Sequence, residues 1–251
     1  FDASDVAVLY PSDTLMATYE PSRHYGGGGA NAAVAASFCA ASEALYAAGR
    51  PFVFVDSQTL ARASVETDGT LSSGALRWRA VVLPRATVLS PTVLERLVAF
   101  RDTGGLVVAV DETPRSSVSA RQLSDRLFEA KAKGRGLGVV LKSDDLSRLA
   151  VLLARRQPLP SAAPGGDGAA TPLLWAHRRT DVDDIWLALN RSNEVWRGTV
   201  TFQKDTASVR VYDPRKGTVE ETSSSSIDVT LSPGGVVVLT GAGLKGVLHG
   251  Q

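Results

Sequence analysis

The sequence has one cysteine and one methionine among 251 residues, and its net charge is only +1. A single cysteine cannot form a disulfide within the chain or build a cysteine-based zinc site. The small net charge gives no general field that would hold a polyanion, and no local basic patch is present. Unbroken apolar runs are only a few residues long, whereas a membrane-spanning helix needs about 20. We therefore expect neither nucleic acid nor a membrane span.

The composition is that of an ordinary folded protein, with 44% hydrophobic and 21% charged residues. The chain begins at Phe1, its only methionine is Met16, and no basic start leads into an apolar stretch of signal-peptide length. We interpret it as part of a longer polypeptide, so that a functional site can lie upstream of Phe1.

Residues 1–156 alternate short apolar runs with helix-like stretches, a pattern that predicts a parallel sheet with crossover helices. The predicted strands are Val6–Tyr10, Phe52–Asp56, Ala80–Leu83, Leu106–Val110 and Leu137–Leu141. The predicted helices are Ala30–Ala48, Ser57–Ala63, Pro91–Asp102, Ser119–Lys131 and Asp144–Arg155, and a small hairpin is predicted within Val65–Trp78. This order predicts a doubly wound, flavodoxin-like α/β domain whose ligand crevice lies beyond the carboxyl ends of the strands.

Residues 157–171 are rich in proline, glycine and alanine and are predicted to be a linker. From residue 172 to residue 251 the apolar pattern changes to period two, which is typical of antiparallel strands. The predicted strands are Leu173–Arg179, Asp184–Asn190, Trp196–Phe202, Ser208–Tyr212, Ile227–Leu231 and Val236–Leu239. This second domain is predicted to be a small antiparallel β-sandwich without a helix between Leu173 and Phe202.

Three features of the first domain resemble catalytic motifs, but each of them lacks a residue or a position that the motif requires. Gly26–Asn31 opens a helix, but it lacks the Walker lysine and lies too far from the first strand for a dinucleotide fingerprint, so we interpret it as a loop or a sugar-facing lid. Cys39 lies mid-helix among small residues and is interpreted as a packed core residue. Class I glutamine amidotransferases share the flavodoxin-like fold and carry a nucleophilic cysteine on a tight turn after a strand. The corresponding turn here, Leu83–Thr87, has neither cysteine nor serine, so no covalent acyl chemistry is expected.

The remaining polar candidates also predict no catalytic residue. His24, His177 and His249 lack metal-ligand spacing, so no metal site is predicted. Asp111 and Glu112 follow a predicted strand at the sheet edge where sites occur. Adjacent strand residues point to opposite faces, however, and the two cannot jointly flank a glycosidic bond.

Several segments resemble a known group of enzymes. The segments Asp5–Asp13, Phe52–Asp56, Ala80–Pro84, Leu89–Leu97 and Gly104–Val108 resemble the amidotransferase-like, trimerisation-type domain that follows the catalytic barrel in several glycoside hydrolases. The segments Trp175–Thr180, Asp184–Asn190 and Val211–Arg215 resemble the β-rich segment after that domain in the α-L-rhamnosidase-like group, glycoside hydrolase family 106.

The resemblance implies a hydrolase of rhamnose-containing glycans, extracellular or periplasmic, whose catalytic carboxylates and calcium belong to a barrel upstream in the same polypeptide. It implies no cofactor in this chain, and it suggests a homo-oligomer contact. We therefore predict a non-catalytic accessory region that supports the barrel. Two alternatives stay open: a stand-alone carbohydrate-binding module, and a small-molecule enzyme at the carboxyl edge of the parallel sheet.

If the β-domain binds glycan, its two strand tryptophans are the candidates for stacking on the sugar. Apolar sugar faces stack on aromatic rings while hydroxyl groups need fixed polar partners. The nearest such set in the sequence is Trp175, His177, Arg178, Trp186 and Asn190. Trp175 and His177 share one strand face and Arg178 points away from it. The same alternation also suits core packing of the tryptophans, and pairing of the histidine and arginines with nearby acidic residues.

Overall fold

The computed structural model describes residues 3–20, 29–129, 135–156, 162–164, 172–202 and 208–242. The chain divides into two compact units. The α/β unit comprises Asp5–Leu45 and Phe52–Gln157, and the β unit comprises Phe1–Ser4, Tyr46–Pro51 and Pro158–Gln251. Within the described ranges, no helix is both long enough and apolar enough to span a membrane.

The α/β unit contains the strands and helices that the sequence predicts, with ends shifted by a few residues, and one additional short helix. Its strands are β1 (Val6–Leu9), β2 (Phe52–Val55), β3 (Ser64–Val65), β4 (Leu71–Ser73), β5 (Leu76–Trp78), β6 (Ala80–Pro84), β7 (Leu106–Val110) and β8 (Leu137–Leu141). Its helices are α1 (Ser12–Ala17), α2 (Ala30–Ala47), α3 (Ser57–Arg62), α4 (Pro91–Thr103), α5 (Val118–Leu127) and α6 (Ser147–Arg156), with a single 3₁₀ turn at Ser143–Asp145. The sequence analysis missed α1.

Five strands of this unit form a sheet in the order β2-β1-β6-β7-β8, and every neighbouring pair is parallel. Numbered along the chain, these parallel strands have the order 2-1-3-4-5. The hairpin predicted around the Asp68-Gly69 turn is present as β3 and β4, and β5 adds a third strand to this separate antiparallel sheet. The prediction of a parallel sheet with crossover helices is therefore confirmed.

Alternate residues of the parallel strands enter two separate hydrophobic clusters. On one face, Ala7 of β1 and Val81 of β6 pack with buried residues of α3, α4 and α5. On the other face, Val8 and Val82 pack with buried residues of α2 and α6. The near-continuous apolar character of these strands follows from burial on both faces.

Three helices of the unit begin at a capping side chain. Asp56 accepts from the Thr59 amide at 2.7 Å, Ser90 from the Val93 amide at 3.4 Å, and Ser117 from the Ala120 amide at 3.0 Å. These oxygens satisfy backbone donors that have no partner within the helix. At the other end of α4, Gly104 has φ 132°, which ends the helix where the sequence predicts.

The β unit contains antiparallel strands throughout. These are β9 (Ala162–Pro164), β10 (Leu173–Arg179), β11 (Asp183–Asn190), β12 (Trp196–Phe202), β13 (Val209–Asp213), β14 (Thr218–Thr222), β15 (Ser226–Leu231) and β16 (Val236–Ala242). They form a five-stranded sheet in the order β10-β11-β16-β13-β14 and a three-stranded sheet in the order β15-β12-β9. The sequence analysis missed the exposed strand β14.

The segment predicted as a linker is partly strand. Residues 162–164 form β9 and pair antiparallel with β12. The remainder of the predicted linker, residues 157–161 and 165–171, lies outside the described residues. No helix occurs between Leu173 and Phe202, a range that the structure describes completely, as predicted from the period-two pattern.

Candidate functional site

The carboxyl ends of the parallel strands collect polar residues at one edge of the sheet. Arg85 follows β6, and Asp111 follows β7. Both have left-handed backbone, with φ 40° at Arg85 and 65° at Asp111. This conformation costs a non-glycine residue about 1–2 kcal/mol, so the surrounding contacts must hold it.

Asp111 is held by the turn that follows β8. Its Oδ1 accepts from the Ser143 amide at 2.9 Å, and its Oδ2 accepts a short hydrogen bond from the Ser143 hydroxyl. Partial burial raises the pKa of Asp111, but the Ser143 hydrogen bonds, with further contributions from Ser37 and Arg85, outweigh it and hold the pKa below its usual range. The carboxylate is therefore a charged acceptor that joins β7 to β8.

Glu112 engages a different partner, because it forms an ion pair with the Arg85 guanidinium. The backbone supports this pair, since the amides of Arg85 and Glu112 both donate to the Val110 carbonyl, at 3.0 and 2.9 Å. The adjacent acids thus have different hydrogen-bonding partners. Both lie beyond the end of β7, so this separation does not come from the strand alternation on which the prediction was based. The sharp turn after β6 presents arginine where an amidotransferase-like enzyme would need a nucleophile.

A groove of about 520 Å³ lies at the end of β1, between α1 and the first half of α2. Its lining is mainly apolar, and its aromatic members include Tyr10, Tyr19 and Phe38. The tyrosine side chains are 45% and 59% exposed. A cavity of this size with aromatic walls and a few polar groups has the ordinary properties of a small-molecule site.

Cys39 lines this groove, and its side chain is exposed. The interpretation of Cys39 as a packed core residue is therefore wrong, although its position within a helix is confirmed. Ser37 and Ala41 are buried on α2, and the residue midway between them in sequence lies on the opposite side of the helix. In an alanine-rich helix the apolar pattern does not distinguish the two sides.

The glycine run at the start of α2 lies mostly outside the described residues, which include only Gly29, Ala30 and Asn31 of it. The helix begins at Ala30, so the predicted start is confirmed. Gly29 has φ 84°, a backbone conformation that favours glycine.

The residues predicted to contact carbohydrate in the β unit are buried, with exposures of 3% for Trp175, 4% for His177, 1% for Trp186 and 0% for Asn190. Arg178 is exposed on the other strand face, as predicted. Burial favours the core-packing alternative for the tryptophans. Sugar contact through these residues stays a prediction.

His177 belongs to a buried polar cluster on β10 and β11. Its Nε2 lies 2.7 Å from Asp184 Oδ1, and Arg179 Nε donates to the same oxygen at 2.8 Å. The His177 ring stacks on Trp186, with ring centroids 5.3 Å apart. Burial raises the pKa of the Asp184 carboxyl group. The hydrogen bonds and charges of His177 and Arg179 lower the same pKa by a larger amount, so the net shift is downward. The predicted pairing with nearby acidic residues is confirmed.

Asn190 is a structural clamp at the end of β11. Its Nδ2 lies within hydrogen-bonding distance of three carbonyl oxygens, those of Glu194, Leu231 and Ser232, at 2.8 to 3.3 Å. Its Oδ1 accepts from the Ser192 amide at 3.0 Å. The side chain therefore satisfies buried backbone groups of two connections.

Replacing Asn190 by alanine is expected to destabilise the chain by about 2 kcal/mol, because the buried carbonyls lose their donor. Urea unfolding followed by tryptophan fluorescence measures the change. The exposed Ser224→Ala variant is the control and should unfold within about 0.5 kcal/mol of the original chain. An Asn190→Ala variant as stable as this control would contradict the clamp.

Across the described ranges, no group of three or more histidine, cysteine or acidic side chains is placed to hold a metal ion. His24 and His249 lie outside those ranges.

The family model for α-L-rhamnosidases, glycoside hydrolase family 106, matches residues 25–226 of this sequence. The chain belongs to the α-L-rhamnosidase family. The resemblance inferred from the sequence is thereby confirmed. No curated protein sequence matches this rhamnosidase-family chain significantly.

Solved structures of glycoside hydrolases share the fold of this α-L-rhamnosidase-family chain. The rhamnosidase from Novosphingobium sp. PP1Y matches with a TM-score of 0.62 at 15% identity over 100% of this chain and 24% of its own. A β-galactosidase from Bacillus circulans sp. alkalophilus gives 0.60 at 13% identity over 96% and 42% of the two chains. A β-galactosidase from Rahnella sp. R3 gives 0.57 at 13% identity over 96% and 41%. This chain thus spans about a quarter of the rhamnosidase that it matches.

Proposed function

We propose that this chain is a non-catalytic accessory region of a multidomain glycoside hydrolase and supports a catalytic barrel upstream in the same polypeptide. The single observation that carries the proposal is the turn after β6, where Arg85 takes the left-handed backbone and is paired with Glu112. A guanidinium in an ion pair cannot act as a nucleophile or as a general base at neutral pH.

The other polar groups of the sheet edge support the same conclusion. Asp111 is bound by Ser143, and Glu112 is bound by Arg85, so the two carboxylates are not arranged as an acid and base pair around one bond. Cys39 lies on a helix and not on the turn after β6. These contacts argue against the alternative of a small-molecule enzyme at the carboxyl edge.

The strand order 2-1-3-4-5 supports a flavodoxin-like, amidotransferase-like domain. In the β unit, Trp186 of the five-stranded sheet and Val200 of the three-stranded sheet belong to one hydrophobic cluster, which supports a β-sandwich. In this proposal the catalytic carboxylates and the calcium that the resemblance implies belong to the upstream barrel. A homo-oligomer contact is a further part of it.

The purified chain is expected to release no aryl group from aryl α-L-rhamnosides or aryl β-D-galactosides above the buffer rate, because the two carboxylates at the described sheet edge, Asp111 and Glu112, are each held by another partner. A complete α-L-rhamnosidase serves as the positive control in the same absorbance assay. Incubation with glutamine should release no ammonia, and Cys39→Ala should leave that background unchanged. Hydrolysis that is lost in Arg85→Ala or Glu112→Gln would contradict the proposal and favour an enzyme at the sheet edge.

A further inference from the structure

One exposed aromatic ring of the groove between α1 and α2 is held in place by a second ring. The Tyr10 ring meets the Phe38 ring edge-on, with centroids 5.5 Å apart and an interplanar angle of 89°. This contact orients Tyr10, although 45% of the residue remains exposed. Tyr19 and Met16 complete an exposed apolar rim and are 59% and 79% accessible. An exposed ring that is held in place, as Tyr10 is, is suited to stacking on a ligand face.

Polar groups at the end of α1 and the start of α2 also lie at this groove. The Thr18 hydroxyl lies 2.7 Å from the Thr14 carbonyl oxygen and 2.6 Å from Asn31 Oδ1. The Asn31 oxygen therefore accepts from Thr18, and the Asn31 side-chain nitrogen carries two hydrogens that it can donate to a ligand.

Backbone amides at the start of α2 add further hydrogen-bond donors to the groove. Gly29, Ala30, Asn31 and Ala32 line the groove at the start of α2, and the first turn of a helix has amides without an intrahelical acceptor. No acidic side chain occupies that first turn. The groove therefore combines apolar rings with hydrogen-bond donors from the start of α2 and from the Asn31 side chain.

We propose that this groove binds the ring of a neutral pyranose sugar. One apolar C–H face of such a sugar stacks on Tyr10 or Tyr19, while its hydroxyl groups bond Asn31 and the first amides of α2. The Glu20 carboxylate also lines the groove and disfavours an anionic sugar. The choice of a sugar rests on the proposed function, since the chain belongs to a family of glycan-cleaving enzymes.

Cys39 allows sugar binding in the groove to be measured directly. It is the only cysteine of the chain, is exposed and lines the groove. The rate of its alkylation by N-ethylmaleimide is measured with increasing L-rhamnose or D-galactose. A bound sugar should slow alkylation, with half of the effect at a concentration on the order of 1 mM. Calorimetric titration of the unlabelled chain with the same sugar gives the dissociation constant independently.

Matched variants locate the contact. Tyr10→Ala and Tyr19→Ala should each weaken binding by about threefold to tenfold, the equivalent of one lost ring contact, and the double variant should weaken it further. Tyr10→Phe should retain binding, because the ring remains. Tyr212→Ala, which removes a partly exposed ring of the β unit, should bind as the original chain does. The circular dichroism of each variant shows whether it has folded.

Three results would overturn this proposal: no protection of Cys39 and no heat of binding with any neutral sugar, protection by phenol but not by sugars, or equal protection by D-glucuronate and L-rhamnose. The same loss of binding in Tyr212→Ala as in Tyr10→Ala would also overturn it. None of these results bears on the accessory role, which is tested by the hydrolysis and ammonia assays. A failure of either idea is therefore distinguishable from a failure of the other.

Discussion

Replacing Gly138 by alanine is expected to destabilise the α/β unit by about 3 kcal/mol or more, because a β-carbon at this position overlaps backbone. Gly138 lies in β8, where the end of α5 packs against the sheet. A β-carbon there would overlap the Leu127 carbonyl oxygen and lie 2.9 Å from the Leu127 carbonyl carbon. Backbone at a helix end cannot move aside as a flexible side chain can, so the helix must shift away from the strand.

Gly74→Ala is the matched control for this substitution. Gly74 lies between β4 and β5 with φ 59°, and a β-carbon there would have no neighbour within 4 Å. Its cost should be about 1 kcal/mol, from the left-handed backbone alone. The rate of hydrogen exchange at the amides of β8 and α5 measures the loss of stability of the α/β unit in both variants. Equal protection in the two variants would contradict the close packing at Gly138.

The parallel sheet could be predicted from the sequence because its physical causes are local. Strands buried on both faces are almost continuously apolar, and Ser90, Pro91 and Gly104 mark both ends of α4. The short helix α1 was missed since six residues without a capping side chain give almost no periodic signal. The exposed strand β14 was missed because it buries no apolar face.

The candidate site was less predictable than the fold. The left-handed backbone of Arg85 and Asp111 is held by hydrogen bonds to residues distant in sequence, Val110 and Ser143 respectively, so the local sequence does not reveal it. The groove depends on how α1 and α2 pack together, and α1 itself was not predicted. The exposed Tyr10 and Tyr19, which are close in sequence to the first strand, were a signal that a search for aromatic residues near strand ends could have used.

The β unit shows the opposite case, in which a functional hypothesis rested on residues that pack the core. Period-two alternation correctly predicted that Trp175 and His177 share a strand face. That face is the buried one, since residues from both sheets cover it. Alternation alone identifies two faces but not which of them a second sheet covers, so burial had to come from the tertiary structure.

Replacing Asp184 by alanine is expected to destabilise the β unit by about 3 kcal/mol, because the buried His177 loses its carboxylate partner. Asp184 is 4% exposed, and its Oδ1 is shared by His177 and Arg179. The Arg179 side chain is 41% exposed, so water replaces most of the hydrogen bonding that Arg179 loses with the Asp184 carboxylate. Asp184→Asn keeps an oxygen acceptor for His177 and should cost less than Asp184→Ala.

The same carboxylate should make the stability of the chain depend on pH. The pKa of Asp184 is lower in the folded chain than its value of 3.8 in the unfolded chain. Its charge therefore stabilises the fold fully above that value, and this contribution is lost as the pH falls through the lower folded pKa. The stability difference between the original chain and Asp184→Asn should be constant near pH 5 and should shrink below about pH 4.

Urea unfolding of the original chain, Asp184→Asn and Asp181→Asn across this pH range tests the prediction. Tryptophan fluorescence reports mainly on the β unit, which contains three of the four tryptophans. Asp181 is an exposed acidic residue three positions earlier in the sequence, and its variant should follow the original chain within about 0.5 kcal/mol at every pH. If the Asp184→Asn difference instead grew as the pH fell, or if Asp181→Asn behaved in the same way, the buried Asp184 carboxylate would not be the source of the stability.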